Sequence, residues 1–209
     1  MERDFWLSRW EANNIPFHES ETNPLLFKYF KELSLPKNSR IFIPLCGKTL
    51  DIAWLLSNGY RVAGAELVEM AIQQLFQELG VEPKISKLGK LVLYSAPGID
   101  IFVGDIFDLS KEVLGPVNAV YDRAALVALP QEARIRYSAH LTQITNKAPQ
   151  LLITFEYDQT KMAGPPFSIS TEEVNIHYKN TYTLTNLLSQ EMSGGLKGHS
   201  AKENVWKLD

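Results

Sequence analysis

The chain has 209 residues, 45% hydrophobic and 22% charged, with a formal net charge of -3. That length suits a single α/β domain, residues 1–209, with a sizeable core, and the composition excludes a disordered or fibrous protein. A mildly acidic chain without clustered Lys and Arg argues against nucleic acid as its main ligand. The opening MERDFWLSRW lacks the apolar stretch of a signal peptide, and no segment is long and apolar enough to span a bilayer. Cys46 is the only cysteine, and the four histidines are scattered. The expectation is a cytosolic protein with no disulfide, no membrane contact and no metal site.

Trp6 and Trp10, four apart, share one face of a short N-terminal helix that breaks at Asn13-Asn14 and Ile15-Pro16. Asn23-Pro24 is an N-cap followed by proline in the first turn; Leu26, Tyr29, Phe30 and Leu33 continue with helical period, and the helix stops before Pro36. An apolar run at 40–45 predicts a strand. Leu50, Ala53, Trp54 and Ser57 then share a predicted helical face up to Asn58-Gly59, and 61–67 predicts a second strand. The next helix carries Ile72, Leu75, Phe76 and Leu79 and ends at Gly80.

Predicted strands at 91–94 and 99–103 flank the turn Ala96-Pro97-Gly98, and 117–121 and 151–157 supply two more. Between these last two, Pro130 opens a helix with Ala133, Tyr137, Leu141 and Ile144 inward. Ser170 and Glu173 have capping-box spacing, and 204–208 predicts a closing strand. The alternation implies a mainly parallel sheet covered on both faces.

In such a sheet, ligands gather at the carboxyl ends of the strands. The loop Pro44-Leu45-Cys46-Gly47-Lys48 follows the first strand. Glu66 ends the second, roughly 20 positions after the loop, where an acid suits the two hydroxyls of a ribose. On the residues alone it is equally a solvated acid opening the next helix. The glycine signal is thin, since only Gly47 is present. Gly47-Lys48-Thr49 has the residue types that end a phosphate-binding loop, but the first glycine of that motif would fall at Phe42. Arg123, after a predicted strand, could bind a cofactor carboxylate, orient a heterocyclic acceptor, or pair with Asp122 or Glu156. Cys46 reads as a packing residue, and His18 as a lid residue as readily as a proton acceptor. Asp158 and the Gly164-Pro165-Pro166-Phe167 run could line an acceptor pocket or form a plain turn.

Several strings carry a resemblance: Ile43 to Asp51 (IPLCGKTLD), Tyr121 to Leu126 (YDRAAL) with Leu129-Pro130, and Tyr157 to Thr160 with Gly164 to Phe167. With Phe5-Trp6 and Trp10, and Pro16-Phe17-His18-Glu19, they closely resemble the thiopurine S-methyltransferase family, especially its bacterial members. The resemblance implies a class I S-adenosylmethionine-dependent methyltransferase. Its expected architecture is a Rossmann-like, seven-stranded, mostly parallel sheet with helices on both faces and the last strand antiparallel, residues 1–35 covering the site. Carried over by position, Trp6, Trp10, Leu45, Glu66 and Arg123 would contact the cofactor. Asp105 and Ile106 would lie beside the adenine, and Phe17 near the acceptor. The implied reaction is methyl transfer from S-adenosylmethionine to a small thiol or thione such as a thiopurine, by proximity and orientation, with no catalytic residue assigned. Selenium or tellurium acceptors, a nucleotide-dependent oxidoreductase and a non-catalytic cofactor-binding protein are the alternatives. Monomer is the default state, and the resemblance does not extend past Asn186.

Overall fold

The computed structural model describes residues 3–209; Met1 and Glu2, the start of the expected cover, lie outside the described residues. Strand β1, Arg40–Pro44, shows how the sequence makes the layers. Ile41 and Ile43 point to one side of the sheet and Phe42 to the other, the period of two that a strand imposes. On the first side these isoleucines meet Leu25 and Leu26 of α2 (Pro24–Tyr29), Ile52 and Leu55 of α3 (Asp51–Ser57), and Ile72, Leu75 and Phe76 of α4 (Glu69–Leu79). On the second, Phe42 shares a core with Leu114 of α5 (Lys111–Leu114), Tyr137 and Leu141 of α6 (Gln131–Ile144), and Val174 and Tyr178 of α7 (Thr171–Tyr178). The first helix, α1 (Arg3–Glu11), sits with a third, smaller cluster in which Trp10 packs with Leu67, Val68 and Ala71.

The remaining strands are β2 (Arg61–Glu66), β3 (Lys84–Leu88), β4 (Leu91–Ala96), β5 (Ile99–Val103), β6 (Ala119–Arg123), β7 (Gln150–Tyr157), β8 (Leu184–Glu191) and β9 (Ala201–Leu208). They form one nine-stranded sheet in the order β3-β4-β5-β2-β1-β6-β7-β9-β8. Strands β5, β2, β1, β6 and β7 run parallel, while β3–β4, β4–β5, β7–β9 and β9–β8 pair antiparallel. The seven-stranded expectation is therefore corrected to nine strands with more than one antiparallel pair. The two strands absent from the sequence reading, β3 and β8, are the sheet's edges and are largely exposed. An edge strand is held by backbone bonds to a single neighbour and buries little side chain, so KISKL and LTNLLSQE carry no clear hydrophobic alternation.

On α3 the shared face predicted from Leu50, Ala53, Trp54 and Ser57 is not the buried one. Asp51, Ile52 and Leu55 are the buried residues, whereas Trp54 lies partly exposed against Phe27 and Phe30 of the preceding segment. Asp51 is drawn inward by the backbone N–H of Asn23 at 2.8 Å and the Tyr121 hydroxyl at 3.0 Å, which turns the helix about its axis. The cap at Asn23 forms as expected, its side-chain oxygen accepting from the Leu25 and Leu26 N–H groups. Ser170 Oγ accepts from Glu173 N–H at 3.2 Å, and the Glu173 carboxylate turns to the buried guanidinium of Arg134. Arg134 in turn lies over the Phe167 ring. No helix among the described residues is long and apolar enough to cross a membrane.

Candidate functional site

The loop after β1 leaves the sheet through two residues with positive φ, Leu45 at 47° and Gly47 at 50°. A left-handed leucine costs on the order of 1 kcal/mol. What offsets it is Glu66, at the carboxyl end of the neighbouring strand β2. One carboxylate oxygen accepts from Gly47 N–H at 2.8 Å and the other from Val68 N–H at 2.9 Å. The two bonds fix both strand-end loops around one carboxylate, while burial of the charge works against them. Burial pushes the Glu66 carboxyl above its ordinary range, and the backbone N–H groups of Val68, Gly47 and Leu67 pull it back.

Around this point lies a cavity of about 290 Å³. Its floor is the β1 loop and Glu66, and its roof is the N-terminal segment. Trp6 and Trp10 each stack edge-on against Phe17, with ring centroids 5.8 Å apart in both pairs. Trp10 also closes on the loop, its ring lying 3.2 Å from where a Cβ on Gly47 would stand, so both the positive φ and the tight approach favour glycine there. Leu25, Leu26, Phe30 and Leu33 enter the core instead. Within the expected cover of residues 1–35, the covering is thus done by the segment from Trp6 to Glu19.

Arg123 ends β6 at the cavity wall. Its guanidinium donates to the Phe17 carbonyl at 3.0 Å and pairs with Glu19, not with Asp122 or Glu156. Asp122 faces the other way, accepting from the Tyr137 hydroxyl and the Leu126 N–H. Burial raises the Asp122 carboxyl to about 6 despite those donors and the Ala125 N–H.

Of the residues singled out from sequence, Trp6, Trp10, Phe17, Leu45, Glu66 and Arg123 all line the one cavity, with His18, Cys46 and Pro165-Pro166. Asp105 and Ile106 lie after β5, outside that lining. Asp105 caps a short turn by accepting from Phe107 N–H, and Ile106 is buried with its carbonyl against the His140 ring. Asp158 is likewise a cap, on Thr160. Cys46 is buried, and desolvation together with the nearby Glu66 charge pushes its thiol well up, which removes the thiolate a nucleophile would need. Burial, and next the charge of Lys48, lower the His18 imidazole below its usual value.

Sequence reading missed the far wall: Phe155, Met192, Leu196, Lys197 and Glu203. Lys197 reaches from the loop between β8 and β9 to the Pro165 carbonyl at 3.1 Å. Only the Gly164-Pro165-Pro166-Phe167 string signalled this wall, because the loop's position depends on β8 and β9 pairing.

The fold is that of the methyltransferases that use S-adenosylmethionine. The crystal structure of such an enzyme from Anabaena variabilis superposes with a TM-score of 0.65 at 15% identity, covering 99% of this chain and 95% of that one. The Burkholderia thailandensis 1,6-didemethyltoxoflavin-N1-methyltransferase, solved with S-adenosylhomocysteine, gives a TM-score of 0.66 at 16% identity over 99% and 86% of the two chains. Within that class the chain belongs to the thiopurine S-methyltransferase family, whose model matches residues 1–207. It is 52% identical to the thiopurine S-methyltransferase of Xanthobacter autotrophicus, over 100% of this chain and 99% of the relative. With that of Teredinibacter turnerae identity is 49%, over 100% and 97%. Neither an oxidoreductase nor a non-catalytic binding protein is favoured by this membership, and selenium or tellurium acceptors are not favoured by these relatives.

Proposed function

We propose that the protein moves a methyl group from S-adenosylmethionine to the sulfur of a small thiol or thione, giving a thioether and S-adenosylhomocysteine. The observation that carries the reading is Glu66, a buried strand-end carboxylate inside an aromatic-roofed cavity shared with Arg123. A carboxylate offers about four acceptor sites. Gly47 and Val68 fill two, and the rest suit the ribose cis-diol. The electron-rich faces of Trp6, Trp10 and Phe17 suit a sulfonium cation and exclude water. On these grounds the residues fit the cofactor. Trp6, Trp10, Leu45, Glu66 and Arg123 would hold it, with Phe17 toward the acceptor; Asp105 and Ile106, outside the cavity lining, are placed beside the adenine by the family resemblance alone.

Bound there, the cofactor supplies an electrophilic methyl group on a sulfonium. Glu66 and the β1 loop fix the nucleoside end. Arg123 anchors the segment from Phe17 to Glu19, closing the roof over the acceptor. Because a thiolate is already a strong nucleophile, alignment and exclusion of water supply most of the catalysis. A single buried cysteine suits a reducing compartment such as the cytosol, and monomer is the default state.

The test is calorimetric titration with S-adenosylhomocysteine and with NAD, followed by incubation with methyl-labelled S-adenosylmethionine and a panel of thiols, thiopurines and selenols. The expected result is S-adenosylhomocysteine binding and label on sulfur. Binding of NAD alone, or label on no acceptor, would overturn the reading.

A further inference from the structure

The cavity has two ends, set apart by the sheet. Glu66 stands on β2 and Glu203 on β9, four places further along the strand order. At about 4.8 Å per strand, that separates them by roughly 19 Å across the sheet. If Glu66 marks the nucleoside end, the wall at Glu203 belongs to the acceptor. This step rests on the functional reading above.

The cations on that wall already have partners. Arg123 is bound to the Phe17 carbonyl and Glu19, and Lys197 to the Pro165 carbonyl. Glu203 lines the same space beside Phe155, its partner across β7, yet forms no ion pair among the described residues. Its carboxylate accepts from the Gln190 side chain but pairs with no cation, so it stays an anionic acceptor lining a largely apolar pocket. Desolvation lifts its carboxyl above the ordinary range; Gln190 across β8 lowers it, Glu19 raises it, and Arg123 lowers it. Its proton affinity is thus closer to neutrality than that of a solvated acid, which suits a general base.

We propose that Glu203 is a catalytic residue that takes up the proton a heteroaromatic thione with a ring N–H next to its C=S group must lose. As the sulfur gains the methyl, the donor's S–CH3 bond breaks and the ring C=S becomes C–S. The N–H electron pair forms a ring C=N bond, and the proton passes to the Glu203 carboxylate and then to solvent. A simple thiol needs no such group, because its thiolate forms in solution.

The test compares wild type with Glu203→Gln, a near-isosteric change at a partly exposed position, and with Glu203→Asp. Acceptors are 2-mercaptopyrimidine, a ring N–H thione, and thiophenol, which has none. S-adenosylhomocysteine binding by calorimetry is expected to stay within about twofold in both variants. With the thione near pH 6, kcat/KM of Glu203→Gln falls about 100-fold, the low end for losing a general base. The deficit shrinks as pH rises past the acceptor's own ionisation, Glu203→Asp recovers part of the rate, and thiophenol turnover is unchanged. Equal losses on both acceptors, no loss on either, or wild-type turnover of thiophenol alone would overturn the proposal while leaving methyl transfer intact. Wild-type turnover of neither acceptor, despite normal S-adenosylhomocysteine binding, would overturn the S-methyltransferase reading itself.

Discussion

Replacing Glu66 by Gln separates the two tasks of that carboxylate. Its oxygens hold the N–H groups of Gly47 and Val68 at 2.8 and 2.9 Å, and the side chain is 8% exposed. A glutamine amide keeps a single oxygen, so it can satisfy one of these donors and must present its own NH2 to the other. One buried donor is orphaned, at about 1 to 3 kcal/mol. Against this, the folded-state carboxyl of Glu66 is raised, so its ionisation at neutral pH works against folding, and the neutral amide removes that penalty. The net loss of stability is expected to be about 1 kcal/mol, which for a chain of this size lowers the melting temperature by roughly 3 °C. Binding has no such offset. The ribose loses an acceptor, and affinity for S-adenosylhomocysteine is expected to fall about 5- to 150-fold, the equivalent of about 1 to 3 kcal/mol. Calorimetric titration at neutral pH, paired with thermal melts without ligand, reads both quantities. Unchanged affinity in a folded variant refutes the ribose role, and a large loss of melting temperature with proportionate loss of binding would make Glu66 a structural staple alone.

Gly64→Ala would bring a Cβ to 2.7 Å from Ile101 Cδ1 and 2.9 Å from Cys46 Sγ, so denaturant titration should show a loss of about 1 to 3 kcal/mol from overpacking beneath the β1 loop. For Asp122, the folded-state carboxyl is raised from 3.8 to about 6, so between those values the folded chain binds more protons than the unfolded one and stability falls as pH rises. At about 1.4 kcal/mol per unit this amounts to about 3 kcal/mol. Urea midpoints of Asp122→Asn between pH 4 and 7 should lack that decline, and slopes parallel to wild type would count against it. Cys46, buried with its thiol pushed well up, should react with iodoacetamide only at the rate of unfolding; fast labelling of the folded protein would contradict its packing role.

Much of the cavity's floor and roof was legible because it is local in sequence. The β1 loop, Glu66 at the next strand end and the paired indoles of α1 lie within 66 residues, and their spacing follows from how one strand–helix–strand unit closes on itself. The Gly164-Pro165-Pro166-Phe167 string could be marked but not placed, since its position comes from Phe167 N–H bonding to the Val127 carbonyl and from Arg134 lying on the ring. Arg123 was visible as a charge at a strand end, while its partner Glu19, more than a hundred residues earlier, was not.

By itself, then, the sequence determined the alternation of elements, the parallel centre of the sheet and the acid at the end of the second strand, all consequences of short-range periodicity and strand-end chemistry. Tertiary structure alone decided the nine-stranded edge pairing, the side of α3 that faces inward and the far wall of the cavity. Those features depend on which distant segments lie beside one another. Backbone bonds to β4 and β9 hold the polar strands β3 and β8, and bonds from Asn23 and Tyr121 turn Asp51 into the core. The pairing of β7 with β9 carries Glu203 to the cavity.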